Sequence, residues 1–215
     1  MKKAALFIKV KREAERILKK SKGSHDLEHT ERVTKLAMHI GKKEKANLEI
    51  IYPAAILHDI ARRAEDKSGG RIDHAATGAK MAAAILKKSG YPKEKTHAVC
   101  HCIEAHRFRG SLKPRTLEAK CLFDADKLDS IGAVGVGRAF LFAGEVGAKL
   151  HNKGIDLKKT RPYTEEDTAY REYMVKLRLV KNRILTDEGK KLAVKRHNFM
   201  VAFFEKLNSE VEGRF

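Results

Sequence analysis

The chain has little that would break a helix and little that would build a secreted scaffold. Only four prolines occur in 215 residues, and glycine is sparse outside a few clusters. Ala, Leu, Lys, Glu and Arg dominate what remains, which points to helix. No segment alternates apolar and polar residues with a convincing period of two, so a sheet fold has no candidate strands. Cysteine is equally scarce. Cys100, Cys102 and Cys121 form an odd set without framework spacing, which excludes a disulfide scaffold and fits a reducing cytoplasm. The C-x-C pair lacks the second thiol pair that a zinc site of that type needs. Long apolar runs are missing too: "MKKAALFIKVKR" has five apolar residues before Lys9, too few for a signal-peptide core. Nothing elsewhere approaches a membrane span. The expectation is a soluble, cytoplasmic protein with no membrane association. Glutamine is absent and lysine abundant, a pattern also found in heat-adapted proteins.

What the chain has in excess is positive charge, a formal +18. A balance of that size invites a nucleic-acid reading. Against it, the lysines alternate with glutamates along helix faces, and no aromatic residues are interleaved to stack bases. Attraction of small anionic substrates explains the charge better, with a basic RNA-binding helical protein as the alternative from another class. At 42% hydrophobic and 34% charged residues the composition is globular, and the length allows a substantial core. No repeat or Pro/Ser-rich linker divides the chain. A single domain over 1–215 is expected, its chemistry-bearing motifs in 24–140 and two C-terminal helices within 165–212 packed on it.

Helical periodicity recurs nearly throughout. A basic amphipathic segment spans about Lys3 to Lys20. "SHDLEHTERVTKLAMHIGKK" opens on the cap formers Ser24 and Asp26 and should stop at Gly41. "YPAAILHDIARRAED" reads as a buried helix with Pro53 in its first turn. "KSGGR" is a turn, followed by a helix capped by Asp73 and ended by Gly90. Pro92 opens another, "PKEKTHAVCHCIEAHRF". "TLEAKCLFDADKLDSIGAVGVGRAFLFAGEVG" continues helical with glycines loosening its second half. The last helices are expected from about Glu165 to Leu185 and from Asp187 to Glu212.

The informative residues are polar groups on apolar faces. His29 extends the stripe of Val33, Leu36, Ala37 and Ile40, His74 precedes Gly78, Met81, Ala82 and Ile85, and His106 continues Val99, Cys102 and Ile103. His58 and Asp59 interrupt "AAIL". One such histidine is usually a core residue bonded to a carbonyl. Four helices each presenting one call for a shared partner, because buried polar groups must be satisfied and a cation satisfies several lone pairs at once. Imidazole with carboxylate suits Mn, Fe, Ni or Zn, and Mg is compatible. An N2O2 set of His29, His58, Asp59 and an aspartate from "FDADKLDSIG" follows. Spacing places Asp126 and Asp129 on one side of that helix and does not decide between them; Asp124 points away. His39, His97 and His101 lie off the stripes, His151 sits in a loop, His25 is ambiguous, and His197 packs with Ala193, Met200 and Phe204.

Taken together, "SHDLEHTERV", "AILHDIA", "HAATGAKMAAAIL", "IEAHRF" and "DADKLDSIGAVGVGRAF" resemble the HD-domain superfamily of metal-dependent phosphohydrolases, in family order from about Ser24 to Phe140. The tail from Tyr170 resembles a branch of stand-alone bacterial and archaeal HD hydrolases. An isolated His-Asp dipeptide would mean nothing; the spaced set is specific. The resemblance implies an HD-type helical bundle. It also implies that His29, His58, Asp59 and Asp126 bind the metal, Asp126 because the family's last ligand is the second aspartate of D-x-D-x-x-D. It implies that His74 and His106 bind a second metal or touch substrate phosphate. Members with Gly-Lys after the dipeptide differ here, where Ile60, Ala61 and Arg62 stand, so cyclic-dinucleotide cleavage of that sort is not implied.

The expected activity is hydrolysis of a phosphoester or phosphoanhydride, with a nucleotide as substrate and a metal-activated water as nucleophile. In that scheme Asp59, His74, His106 and Asp129 form the catalytic set, with Asp59 orienting or deprotonating the water and Asp129 orienting a ligand. Arg62, Lys127 and Arg138 are the candidate phosphate binders, ahead of Arg63 and Arg71; Arg32 suits an ion pair. The glycines of "IGAVGVGRAF" match no phosphate-binding fingerprint and suit close packing. A nucleoside monophosphatase or phosphodiesterase is a related alternative, and a nucleotide sensor that keeps the metal but turns over slowly is a different one. An oligomer is compatible with the C-terminal helices.

Overall fold

A computed structural model describes residues 2–19, 27–107, 112–152 and 154–214. The expected caps Ser24 and Asp26, and His25, lie outside the described residues. Every regular element among the described residues is helical, so the fold is all-α as expected. No helix among them is long and apolar enough to cross a membrane. The chain forms two compact units, Met1–Asp126 and Lys127–Phe215.

The first unit contains α1 (Lys2–Leu18), α2 (Leu27–Lys43), α3 (Leu48–Leu57), α4 (Arg62–Lys67), α5 (His74–Ser89) and α6 (Lys93–Ala105), and α7 (Leu117–Asp129) begins in it. α3 lies at its centre, packed on α1, α2 and α6, while α5 packs on α6. That position explains why α3 is apolar all round, with Ile51, Ala54, Ala55 and Leu57 fully buried. Val10, Val33, Ile40, Leu86 and Ile103 complete the core.

α3 departs from the sequence reading in two respects. It starts at Leu48, not near Pro53, because the Asn47 side chain accepts from Glu49 N and caps it. Pro53 therefore sits inside the helix, where it has no N–H to give to the carbonyl four residues back. That carbonyl belongs to Glu49, and the Tyr91 hydroxyl donates to it at 2.7 Å. A side chain from the α5–α6 connection thus fills the gap that the proline leaves. The helix then ends at Leu57, so His58 and Asp59 occupy a turn, His58 to Ala61, before α4, not the middle of a continuous helix.

Gly41 is also not a stop. α2 runs on to Lys43, and Gly41 is buried where any Cβ would collide with the Ile51 side chain. The missing side chain lets α2 approach α3. The expected ends of α5 do hold: Asp73 accepts from Ala75 N and Ala76 N, and Gly90 takes a left-handed conformation at φ 78°.

In the second unit, α8 (Gly132–Glu145) and α9 (Ala169–Val175) pack together, and α10 (Asp187–Val211) packs on α8. Its core centres on Phe204, which stacks on Tyr173 with ring centroids 4.3 Å apart. The helix expected from Glu165 to Leu185 is instead α9 followed by 3-10 turns at Leu177–Arg183. The residues before it are fixed by a buried network. Arg171 donates to Asp167 Oδ1 and to Thr160 Oγ1, both at 2.6 Å. α8 is separate from α7 because the backbone turns at Gly132, with φ 78°. Arg196 donates to Leu128 O at 2.5 Å and lies over Gly132.

Candidate metal centre

Three of the four histidines arrive at helix ends rather than mid-helix. His58 follows α3, His74 is the first residue of α5, and His106 follows α6. His29 is in the first turn of α2. Helix ends supply both the side chain and a nearby carbonyl of the turn just finished, and the site uses both. All four rings are buried, and Asp59 is 3% exposed. Asp126 is the most accessible of the group, with its side chain 15% exposed.

Asp59 sits between two histidine pairs. Its Oδ2 lies 3.6 Å from both His29 Nε2 and His58 Nε2. Its Oδ1 lies 3.5 Å from both His74 Nε2 and His106 Nε2. Within the pairs the Nε2 atoms are 3.4 Å apart for His29 and His58, and 3.2 Å apart for His74 and His106. Asp126 Oδ1 closes the first group at 3.5 Å from His29 Nε2.

Hydrogen bonding on the far side of each ring decides what these nitrogens are. His58 Nδ1 donates to Ala55 O at 2.8 Å, and His106 Nδ1 donates to Ile103 O at 2.6 Å. His74 Nδ1 donates to Glu65 Oε2 at 2.7 Å. Carbonyl and carboxylate oxygens only accept, so each of these three Nδ1 atoms carries a proton, and in the neutral ring the lone pair is on Nε2. Burial pushes the His58 imidazole down to about 4, with the Asp59 charge opposing, so this ring is neutral at neutral pH. Burial also lowers His74 from its ordinary value.

In the neutral form of these three rings the Nε2 lone pairs face the Asp59 carboxylate. Most of the separations exceed a good hydrogen bond. They do match the edges of a coordination shell: ligands ~2.1 Å from one tetrahedral ion stand ~3.4 Å apart. Two overlapping sets have one ligand atom from each residue within 4.8 Å of the others, His29–His58–Asp126 and His58–Asp59–His106. Neutral imidazole with carboxylate is a donor set for a divalent metal, and the residues present fit one.

The remaining candidates divide. Asp129, the alternative to Asp126, is buried in an ion pair with Arg138 Nη1 at 2.7 Å. Arg62 lies 3.0 Å from Glu65 Oε2 and 3.4 Å from Asp66 Oδ1. Lys127 is buried next to Asp126 in α7. His39 and His97 are exposed, and His101 accepts from Arg115 N at 3.1 Å. Two residues escaped the sequence reading. Glu65, the carboxylate on His74, sits in the charged run "RRAED", which looks like a solvated face. Arg107 lies 2.9 Å from Glu65 Oε1.

Comparison with known proteins agrees with this geometry. Residues 26–131 match the model of the HD domain. An uncharacterized protein of Bacillus subtilis, YpgQ, is 36% identical over 201 residues, covering 92% of this chain and 89% of its own. The crystal structure of YpgQ in complex with ADP superposes with a TM-score of 0.76 over 98% of this chain and 97% of that one, at 30% identity. An HD-superfamily hydrolase from Bacillus thuringiensis gives a TM-score of 0.77 at 27% identity, covering 99% of this chain and 100% of its own. A carboxylate set between two histidine pairs, on a helical fold shared along nearly the whole length of these relatives, places the chain in the HD-domain superfamily of metal-dependent phosphohydrolases.

Proposed function

We propose that the chain hydrolyses a phosphoanhydride or phosphoester of a nucleotide, using a site that takes two divalent transition cations. The observation that carries this is Asp59, whose two oxygens face different histidine pairs. His29, His58, Asp126 and Asp59 Oδ2 would hold one cation. His74, His106 and Asp59 Oδ1 would hold the other. Mn, Fe, Ni and Zn suit this imidazole-rich set better than Mg, which prefers oxygen ligands and retained water. A bound divalent cation supplies a lowered pKa for water, from about 15.7 towards 7, and polarises a phosphoryl oxygen.

The chain's own residues keep those positions ready. The Ala55 and Ile103 carbonyls hold the His58 and His106 rings with their Nε2 lone pairs facing inward. Burial keeps competing protons off His58. Arg138 is engaged by Asp129, and we assign that pair to holding the α7–α8 turn; Arg62, engaged by Glu65 and Asp66, is set aside in the same way, and Lys127, next to Asp126 in sequence, is retained as a phosphate-binding candidate. The ADP found with YpgQ supports a nucleotide as the substrate, and the formal charge of +18 suits a polyanion.

The test is an assay of metal-loaded protein against nucleoside mono-, di- and triphosphates and cyclic dinucleotides, reading phosphate and pyrophosphate separately. Release that disappears in folded Asp59→Ala, together with its metal by elemental analysis, is the expected result. Tight nucleotide binding without release would replace the enzyme reading with a sensor. Phosphate released only from monophosphates would make the protein a monophosphatase.

A further inference from the structure

Of the three rings whose outer partner is described, His58 and His106 are oriented by backbone carbonyls, and only His74 depends on a side chain. That side chain, Glu65, is 5% exposed although it lies on the six-residue α4. Its Oε2 accepts from His74 Nδ1 at 2.7 Å, and Arg62 Nη1 approaches the same oxygen at 3.0 Å. Its Oε1 has Arg107 Nη2 at 2.9 Å, an ion pair rather than an aligned hydrogen bond. The other arm of the Arg107 guanidinium, Nη1, donates to Asp73 Oδ2 at 2.7 Å. Asp73 immediately precedes His74 and caps α5, and Arg107 immediately follows His106. One guanidinium therefore joins the chain before one histidine to the chain after the other, and grips the carboxylate between them.

We propose that Glu65 is a positioning residue, which fixes His74 with Nδ1 protonated and Nε2 turned towards Asp59, and that Arg107 locks Glu65 in that place. A carboxylate can only accept, so it allows one tautomer of the neutral ring. Its charge makes the bond to the ring stronger than a carbonyl would. Two guanidiniums supply the positive charge that a buried carboxylate needs. A purely structural ion pair would require Arg62 and Arg107 but would not need the His74 bond.

This inference rests on the assignment of His74 and His106 to a second cation. The test is Mn2+ titration of the full chain after chelator treatment, with elemental analysis of the desalted product, for wild type, Glu65→Gln and Glu65→Asp. Wild type should bind two equivalents. Glu65→Gln should weaken one of them by ~10–100-fold and leave the other unchanged, as loss of an outer partner does. Glu65→Asp should recover part of the loss. Two unchanged equivalents in folded Glu65→Gln overturn the positioning role while the two-cation assignment stands. A single equivalent in wild type overturns both. Should Glu65→Gln not fold, 15N shifts of the wild-type histidines decide: a proton on His74 Nδ1 supports the proposal, and a proton on Nε2 overturns it.

Discussion

At the scale of single residues, the chemistry was legible where it broke a pattern. His29, His58, His74 and His106 stand out because an imidazole on an apolar helical stripe must find a partner, and Asp59 because it adjoins one of them. Glu65 and Arg107 do not stand out. Both occur among other charges, and only the fold shows that Glu65 turns inward. The same logic covers the histidines that were set aside. His101 accepts a single backbone hydrogen bond and lies partly exposed. His101→Ala should leave activity and metal content unchanged and cost less than about 1 kcal/mol in a denaturant titration. A loss comparable to that of His58→Ala would show that the site extends along α6.

The cysteines, which take no part in the proposed site, make the stability of the fold depend on alkaline pH. Burial pushes Cys102 and Cys121 up from the ordinary value of 9.0 to about 12. A folded-state value above the unfolded one contributes stability that is complete below pH 9 and is lost as pH rises towards 12. Thermal midpoints should therefore fall across that alkaline window, and replacing both thiols by Ala should flatten the fall. A thiol reagent at pH 8 should find neither of them in the native chain, and all three cysteines after denaturation.

At the scale of elements, helices with a cap and a stop were readable, as α5 shows with Asp73 and Gly90. Boundaries failed where tertiary structure supplied what the local sequence withheld. α2 runs through Gly41 because the glycine serves packing against Ile51. α3 runs through Pro53 because the Tyr91 hydroxyl reaches the orphaned Glu49 carbonyl. Neither partner is visible in a window of neighbouring residues. Tyr91 is 6% exposed, so Tyr91→Phe leaves that carbonyl without its donor in a buried place. The expected cost is about 1–3 kcal/mol in chemical denaturation. In a Pro53→Ala background an N–H is available at that position, and the cost of Tyr91→Phe should shrink, a coupling measurable as a double-mutant cycle. Equal costs in both backgrounds would mean that the hydroxyl does something else. The segment before Leu185 failed for another reason. Its helical propensity is genuine, but buried Leu177 and Val180 lie on 3-10 turns, a departure that periodicity does not signal.

At the scale of the whole molecule, composition set the class correctly: all helix, strongly basic, with no helix fit to span a membrane among the described residues. It could not show that the chain forms two compact units or that every proposed ligand, from His29 to Asp126, falls within the first. That distribution has a thermodynamic corollary. Ligands drawn from α2, the α3–α4 turn, α5, the end of α6 and α7 meet only in the native state, so a cation that binds them favours folding. At a free concentration one hundred times its dissociation constant it adds ~2.7 kcal/mol, and a melting curve recorded against Mn2+ concentration should climb accordingly. An unmoved midpoint would show that the ion does not prefer the native chain. Seen this way the metal is a removable tether: through Asp59 the two proposed cations pin five distant stretches of one polymer at one place. Stripping it with a strong chelator would slacken all of them together, and a protease should then cut the first unit at scattered positions rather than at one exposed loop.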